Sequence, residues 1–367
     1  MPEPTTLRVA MTVEQCWQPV PGGSGTYIRE LARAYRALEH LSVTGLAARH
    51  GGRPAPDGSP DLRVSESALP RQLLYRSWQQ TRSPRAPRGH DVVHATTWAV
   101  PGHRVPLVVT VHDLAFRHDP GHFTPNGVAF FERGLQIARD EAAAVVVPSE
   151  VTREDCVAAG IDRDRVHVVL HGVRVATPSP AAVTAFRTRH GLARPYVLWV
   201  GTREPRKNLP RLLAAFDHVV DRGADLDLVL VGPDGWGGAA DRVSAVTQDR
   251  VHVLGRLGVD ELAASFAGAR VFCYPSLREG FGMPVSEAMA HGVPVVTSRG
   301  TAMEEVAAGA AVLVDPLDAA DVARGLLQAD GPEHGRLARA SAARAGHLDW
   351  ARAARETVDV LRGAARA

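Results

Sequence analysis

The feature that most constrains this chain is a rhythm that occurs twice. Short apolar runs, each closed by glycine, proline or a polar turn, alternate with longer segments of helical periodicity. The first series starts at "LRVAMTV" (residues 7–13) and continues through "VVHA" (92–95), "LVVTVH" (107–112), "AVVVP" (144–148) and "VHVVL" (166–170). The second starts at "YVLWVG" (196–201) and continues through "LDLVLVG" (226–232), "VHVLG", "ARVFCYPS", "VPVVTS" and "AAVLVDP". Near-continuous apolar strands separated by helices read as parallel strands covered on both faces by crossover helices. A chain of 367 residues is also too long for one ordinary core. The expected fold class is α/β with two Rossmann-like domains, residues 1–178 and 185–348. They are joined by the polar, proline-bearing stretch around 175–195, which is expected to act as a hinge. The tail "HLDWARAARETVDVLRGAARA" reads as an amphipathic helix, with Asp349 as N-cap and Trp350, Ala354, Val358 and Leu361 on one face.

Composition narrows the function classes. A formal net charge of +2 gives no reason to expect a nucleic-acid partner, and no run of 18 apolar residues spans a membrane. The first residues, "MPEPTTLRVAMTV", enter a strand-like run without a basic region and a long apolar stretch, so a cytoplasmic location is expected. Cys16, Cys156 and Cys273 lie far apart and read as small buried hydrophobes. With no Asp-x-Asp and no His/Cys cluster at ligand spacing, no metal and no separate cofactor is expected.

The segment "REGFGMPVSEAMAHGVPVV" (278–296) carries the most chemistry. Glu279 and Glu287 are separated by seven residues, and Gly280, Gly282 and Pro284 lie between them. The preceding strand places the segment at the carboxyl edge of a parallel sheet, where ligands of open α/β sheets bind. The glycines permit positive φ and a close backbone approach, Pro284 suits the first helical position, and Gly292 suits the stop. The free amides of a helix starting around Met283, Pro284 and Val285 form an anion site, with phosphate as the natural tenant. Glu287 stands one turn further on, about 4.5 Å along the axis at ~1.5 Å per residue. An ionised carboxylate only accepts hydrogen bonds, so Glu287 suits the hydroxyl pair of a ribose and Glu279 the hydroxyls of a second sugar. Sugar, diphosphate and ribose together describe a nucleotide sugar. The competing reading is two solvated surface carboxylates. Separately, "VGTREPRKNLPRLLAAF" places Arg206 and Lys207 in a loop after a strand, where two cations can neutralise a diphosphate leaving group.

The segment "EGFGMPVSEAMAHGVPVV" resembles the corresponding motif of retaining GT-B glycosyltransferases of the large family 4, or group 1, type. The resemblance spans nearly the whole chain, is strongest at 197–316 and is weakest at 49–88. It implies that Glu287 binds ribose, that Glu279 contacts the donor sugar, and that Gly280, Phe281, Gly282 and the backbone of Met283, Pro284 and Val285 line the diphosphate site. It makes Arg206 and Lys207 the diphosphate-binding pair and gives "VPGGSGTYIREL", including Gly23, the role of the glycine loop at the first β/α turn. It assigns His112, which follows a strand and is otherwise readable as a structural His-Asp pair with Asp113, to orienting the donor sugar. "VLGRLGVDELAASFAGA" is similar to the base-recognition strand and helix, where the backbone of Arg256 or Leu257 meets the nucleobase. The tail resembles the final helix that crosses back onto the first domain. His171 and Arg174 depart from an "NGVD"-like turn. The implied activity is hexosyl transfer with retention, by front-face attack, from a donor of GDP or UDP type. His112, Arg206, Lys207 and Glu279 would be the catalytic groups.

The acceptor is open at this stage: glycan, lipid-linked or small molecule. Residues 71–88 contain five arginines and no acid, interleaved with Leu73, Leu74, Tyr75 and Trp78. They read either as a peripheral contact with an anionic membrane or acidic acceptor, or as a solvated helix and loop at the domain edge. Two other functions compete: a sugar-nucleotide 2-epimerase on a similar fold, and a sugar-nucleotide-binding protein without catalysis.

Overall fold

A computed structural model describes residues 5–235, 243–244 and 246–366. Residues 1–4, where the sequence enters the first strand, and the last residue of the expected tail helix lie outside the described residues. The chain divides into two units, Met1–Gly172 with Asp349–Ala367, and Val173–Leu348.

In the first unit the order is β1 (Leu7–Thr12), α1 (Gly22–Tyr35), β2 (Leu41–Ala47), β3 (Arg63–Glu66), α2 (Arg71–Gln80) and β4 (Val92–Ala95). Then come β5 (Leu107–Thr110), α3 (Ala115–His118), α4 (Pro125–Glu141), β6 (Ala142–Val147), α5 (Glu150–Ala158) and β7 (Val166–Val168). The strands form one parallel sheet in the order β3-β2-β1-β4-β5-β6-β7. Val9 on β1 pairs with Val43 on one side and Val92 on the other, so the strand order reverses between β1 and β4. β1, β4, β5 and β6 are buried almost throughout, as apolar runs sandwiched between helix layers must be. β2 and β3 were not expected. Their sequences, "LSVTGLA" and "RVSE", are mixed in polarity because they run to the sheet edge and are only partly covered.

Two expectations for this unit change. The glycine-rich stretch is not a loop: Gly22, Gly23 and Gly25 form the first turn of α1. In the arginine-rich stretch, α2 turns Leu74 and Trp78 into the interior and half-buries Tyr75, leaving Leu73 at the surface. Ser149 caps α5 as expected, its Oγ accepting from the Thr152 amide at 3.2 Å.

The second unit runs α6 (Pro180–Arg189), β8 (Tyr196–Val200), α7 (Leu209–Asp221), β9 (Asp227–Val231), β10 (Val251–Gly255), α8 (Val259–Ala267) and β11 (Val271–Tyr274). It continues with α9 (Met283–Ala290), β12 (Val295–Ser298), α10 (Ala302–Ala307), β13 (Ala311–Val314), α11 (Ala319–Asp330) and α12 (His334–Ala345). Its parallel sheet has the order β10-β9-β8-β11-β12-β13, with Val197 of β8 between Leu228 and Val271. The stretch 175–195, read as a polar join, contains α6. Ser179 caps it from N-cap position, Pro180 opens it, and buried Phe186 anchors it.

The last helix, α13 (Trp350–Arg366), belongs to the first unit. Asp349 caps it, its carboxylate accepting from the amides of Ala351 and Arg352, and Trp350, Ala354, Val358 and Leu361 are buried. Among the described residues no helix is long and apolar enough to cross a membrane.

Candidate active site

In the second unit the strand order reverses between β8 and β11, and the connections leave their carboxyl ends in opposite directions around the sheet. This is where an open α/β sheet forms its ligand crevice. After β8 a single tight turn, Pro205–Lys207, carries both cations. Asn208 closes it at φ 59°, and its side-chain amide donates to the carbonyls of Pro275 (3.0 Å) and Pro316 (2.7 Å). One asparagine thereby ties together the loops that follow β8, β11 and β13.

The loop after β11 meets that turn. The Arg206 carbonyl accepts from the Leu277 amide at 2.8 Å and from Ser276 Oγ at 2.9 Å. Glu279 sits between the cations, with Oε1 2.5 Å from Lys207 Nζ and Oε2 2.9 Å from Arg206 Nη1. Tyr274 and Ser276 hydroxyls donate to Oε1 at 3.1 and 2.8 Å. Arg206 Nε also reaches Glu204 Oε2 at 2.9 Å. Burial alone would push the Glu279 carboxyl up, but Arg206 and Lys207 overcome this, helped by the Lys207 and Ser276 hydrogen bonds, and hold it at about 2. Burial lowers the Lys207 ammonium pKa, and Arg206 adds to that against the pull of Glu279. The arrangement is a largely buried, ionised carboxylate in contact with two cations.

The segment then turns into α9. Gly282 takes the left-handed conformation (φ 87°) as N-cap, and a Cβ there would lie 2.7 Å from Met303 Cγ, so both backbone and space demand glycine. The anion site differs in detail from the sequence reading. The helix starts at Met283, so Pro284 is the second helical residue, and the Val285 amide is already bonded to the Gly282 carbonyl at 2.9 Å. Val285 therefore offers no free donor and Pro284 has none. The amides of Gly282 and Met283 have no acceptor among the described residues. Glu287 lies half-buried in the next turn, and its carboxylate makes no hydrogen bond or ion pair with any described residue. Burial pushes that carboxyl up to about 7. Arg256 and Leu257 follow the edge strand β10, which β9 separates from β8.

His112 and Gly23 belong to the first unit. His112 is half-buried past β5, with Nε2 3.0 Å from the Thr96 carbonyl and its ring edge-on to Tyr27 at 5.0 Å. Burial lowers its pKa against the opposing pull of Asp113 and the Thr96 carbonyl. His171, which departs from the family turn, stacks on Trp350 at 5.7 Å and meets His112 edge-on at 5.7 Å.

Arg206, Lys207 and Glu279 thus meet beyond the carboxyl ends of β8 and β11, and Glu279 leads within four residues into α9. Sequence reasoning missed Glu204, Asn208, Tyr274 and Ser276. The last two were hidden in the apolar run "VFCYPS", whose polar members look like strand filler until their neighbours are known.

The chain is similar to known proteins over most of its length. A model described as "Glycosyl transferases group 1" matches residues 194–329, and one described as "Glycosyltransferase Family 4" matches residues 21–177. An O-antigen chain mannosyltransferase B of Escherichia coli is 28% identical over 347 residues, covering 88% of this chain and 90% of that one. A D-inositol 3-phosphate glycosyltransferase of Xylanimonas cellulosilytica is 31% identical over 394 residues, with 92% and 91% covered. Among solved structures, Anabaena HepE in complex with UDP and glucose superposes with a TM-score of 0.73 at 18% identity, covering 97% of this chain and all of that one (100%).

Two doubly wound parallel-sheet units in one chain are the fold of the GT-B glycosyltransferases. The chain belongs to group 1 of the glycosyltransferases, family 4.

Proposed function

We propose that this glycosyltransferase takes a hexosyl group, mannosyl-like, from a nucleoside-diphosphate sugar of GDP or UDP type and transfers it with retention to a glycan, lipid-linked or small-molecule acceptor. The observation that carries the reading is the Arg206–Lys207–Glu279 cluster beside the free amides of Gly282 and Met283. Two cations and two unbonded amides at a strand-order reversal suit a diphosphate, which develops negative charge as the anomeric C–O bond breaks. Glu279, in the same cluster, accepts from hydroxyls of the transferring sugar. Glu287, one turn into α9, accepts from the ribose. Similarity to the E. coli mannosyltransferase supports the mannosyl assignment, and the UDP complex of HepE supports a nucleotide-sugar donor.

In front-face transfer the acceptor oxygen bonds to the anomeric carbon on the side the diphosphate leaves. The acceptor proton passes to the departing diphosphate oxygen, and nucleoside diphosphate is released. The protein then contributes charge stabilisation and positioning. Each such contact is worth roughly 2–4 kcal/mol of barrier.

A thermal-shift screen of UDP-, GDP- and TDP-sugars tests the donor. A bound donor at 100 times its Kd stabilises by about 2.7 kcal/mol, a readable rise in Tm. If none of these donors shifts Tm, the nucleotide-sugar reading fails. NMR of the products with donor and acceptor present then separates transfer from epimerisation of the donor alone.

A further inference from the structure

Thr12 ends β1, and Thr96 follows β4, the neighbouring strand at the order reversal of the first sheet. Both are buried, and they grip each other reciprocally. The Thr96 amide donates to Thr12 Oγ1 at 2.9 Å, Thr96 Oγ1 donates to the Thr12 carbonyl at 2.6 Å, and the two hydroxyls lie 3.1 Å apart. With its amide and side chain both held, the Thr96 peptide has little freedom. Its carbonyl is the group that meets His112 Nε2, at 3.0 Å.

A carbonyl oxygen can only accept, so the Nε2 of His112 must carry hydrogen, and in the neutral ring Nδ1 is then the bare acceptor. Nδ1 makes no hydrogen bond with any described residue. The ring is kept in place from the other side by Tyr27, whose hydroxyl shares Thr110 Oγ1 (3.2 Å) with Nε2 of buried His94 (2.8 Å).

We propose that Thr12 is a positioning residue: through Thr96 it holds His112 as the Nε2–H tautomer, so that Nδ1 accepts a hydrogen bond from a hydroxyl of the donor sugar. The sugar contact rests on the proposed function and on the donor-sugar role that the family resemblance implies for His112; the tautomer does not. Thr12 touches no substrate and acts only through the Thr96 carbonyl. Its hydroxyl, not its bulk, is the working part.

The test compares the wild type with Thr12→Ser, Thr12→Val and the milder Thr96→Ala, all as the full chain. Two-dimensional NMR of 15N-histidine-labelled protein reads the His112 tautomer without any ligand. His112→Ala identifies its resonances, and thermal melts confirm folding. Wild type and Thr12→Ser should show Nε2–H with unprotonated Nδ1. Thr12→Val, or Thr96→Ala if the valine variant does not fold, should show a mixture of tautomers. With a turned-over donor, kcat should fall roughly tenfold in that variant, within the ~100-fold that an ångström-scale misplacement costs, while serine restores it. An unchanged His112 spectrum in a folded variant lacking the latch overturns the proposal. If the spectra change as expected but His112→Ala leaves donor kinetics intact, the latch stands and the donor-sugar reading of His112 fails.

Discussion

Lys207 Nζ lies 2.5 Å from Glu279 Oε1, across 72 positions of sequence. Lys207 is buried, the Glu279 side chain is 10% exposed, and Arg206 shares the same carboxylate. Both cations are therefore engaged by Glu279, and on the proposed function a donor diphosphate would compete with that carboxylate for them.

Lys207→Ala removes one of the two cations. Turnover should fall by about 30-fold to 10³-fold, the roughly 2–4 kcal/mol of losing one preorganised charge contact. Steady-state kinetics at saturating donor checks this. Activity within about threefold of wild type, less than 1 kcal/mol of barrier, would contradict the role assigned to Lys207.

Glu279→Gln separates competition from assistance. The glutamine keeps the shape and removes the charge that occupies Arg206 and Lys207. Free GDP or UDP carries no hexosyl group for Glu279 to hold, so its affinity should rise by about tenfold, near 1.4 kcal/mol. kcat/KM for the intact donor should fall. Isothermal titration with the nucleoside diphosphates reads the first, and kinetics reads the second. Weaker binding of the nucleoside diphosphate would mean that Glu279 orders the cations rather than competing for them.

The central strands of both sheets were legible because strands buried on both faces have no polar positions to blur them. Val197–Trp199 and Leu228–Val231 are buried throughout. β2 and β3 were lost because a strand at an exposed edge alternates irregularly, and α6 was lost because one buried phenylalanine anchors an otherwise polar helix. In the site, the residue types of Arg206, Lys207, Glu279 and Glu287 were readable, but the partnership of Glu279 with the cations was not. It depends on two loops brought together by the adjacency of β8 and β11, which no local pattern records. The start of α9 was misplaced by one residue. A proline at the second helical position satisfies the same missing-amide logic as one at the first.

Glu287 makes stability depend on pH in the direction opposite to most carboxylates. Its folded pKa of about 7 lies above the ordinary value of 4.5. The stability it contributes is fully present below that ordinary value and is lost as pH rises through 7, because the folded state must then bury a charge. Glu287→Gln should therefore melt higher than wild type at pH 8, by up to about 3 kcal/mol at ~1.4 kcal/mol per pKa unit, with the gap closing by pH 4. Its affinity for the donor should nonetheless fall, since a carboxamide accepts less strongly from the ribose hydroxyls. Melts from pH 4 to 8 alongside donor titrations check both; a gap that is constant with pH would show that the carboxyl is not perturbed.

The arginine-rich segment 71–88 divides into a packed half and an exposed half. Trp78 is buried, its indole donating to the Pro84 carbonyl at 3.0 Å, and Arg82 bonds Glu141 at 2.7 Å and the Val100 carbonyl at 2.6 Å. Arg76, Arg85 and Arg88 are exposed, as is Leu73. Trp78→Ala should cost about 3–5 kcal/mol by opening a cavity in the core, whereas Leu73→Ala should stay within about 0.5 kcal/mol. Urea unfolding separates them, and equal effects would mean that α2 does not pack as described. With its apolar face turned inward, α2 has little to insert into a bilayer. Any attraction of the segment to an anionic surface then rests on the three exposed guanidinium groups. Binding to anionic vesicles should be lost when Arg76, Arg85 and Arg88 are changed to glutamine, and should decline steeply as ionic strength passes ~0.15 M, where the screening length is about 8 Å. Vesicle cosedimentation across a salt series measures it, and salt-insensitive binding would point to apolar insertion instead.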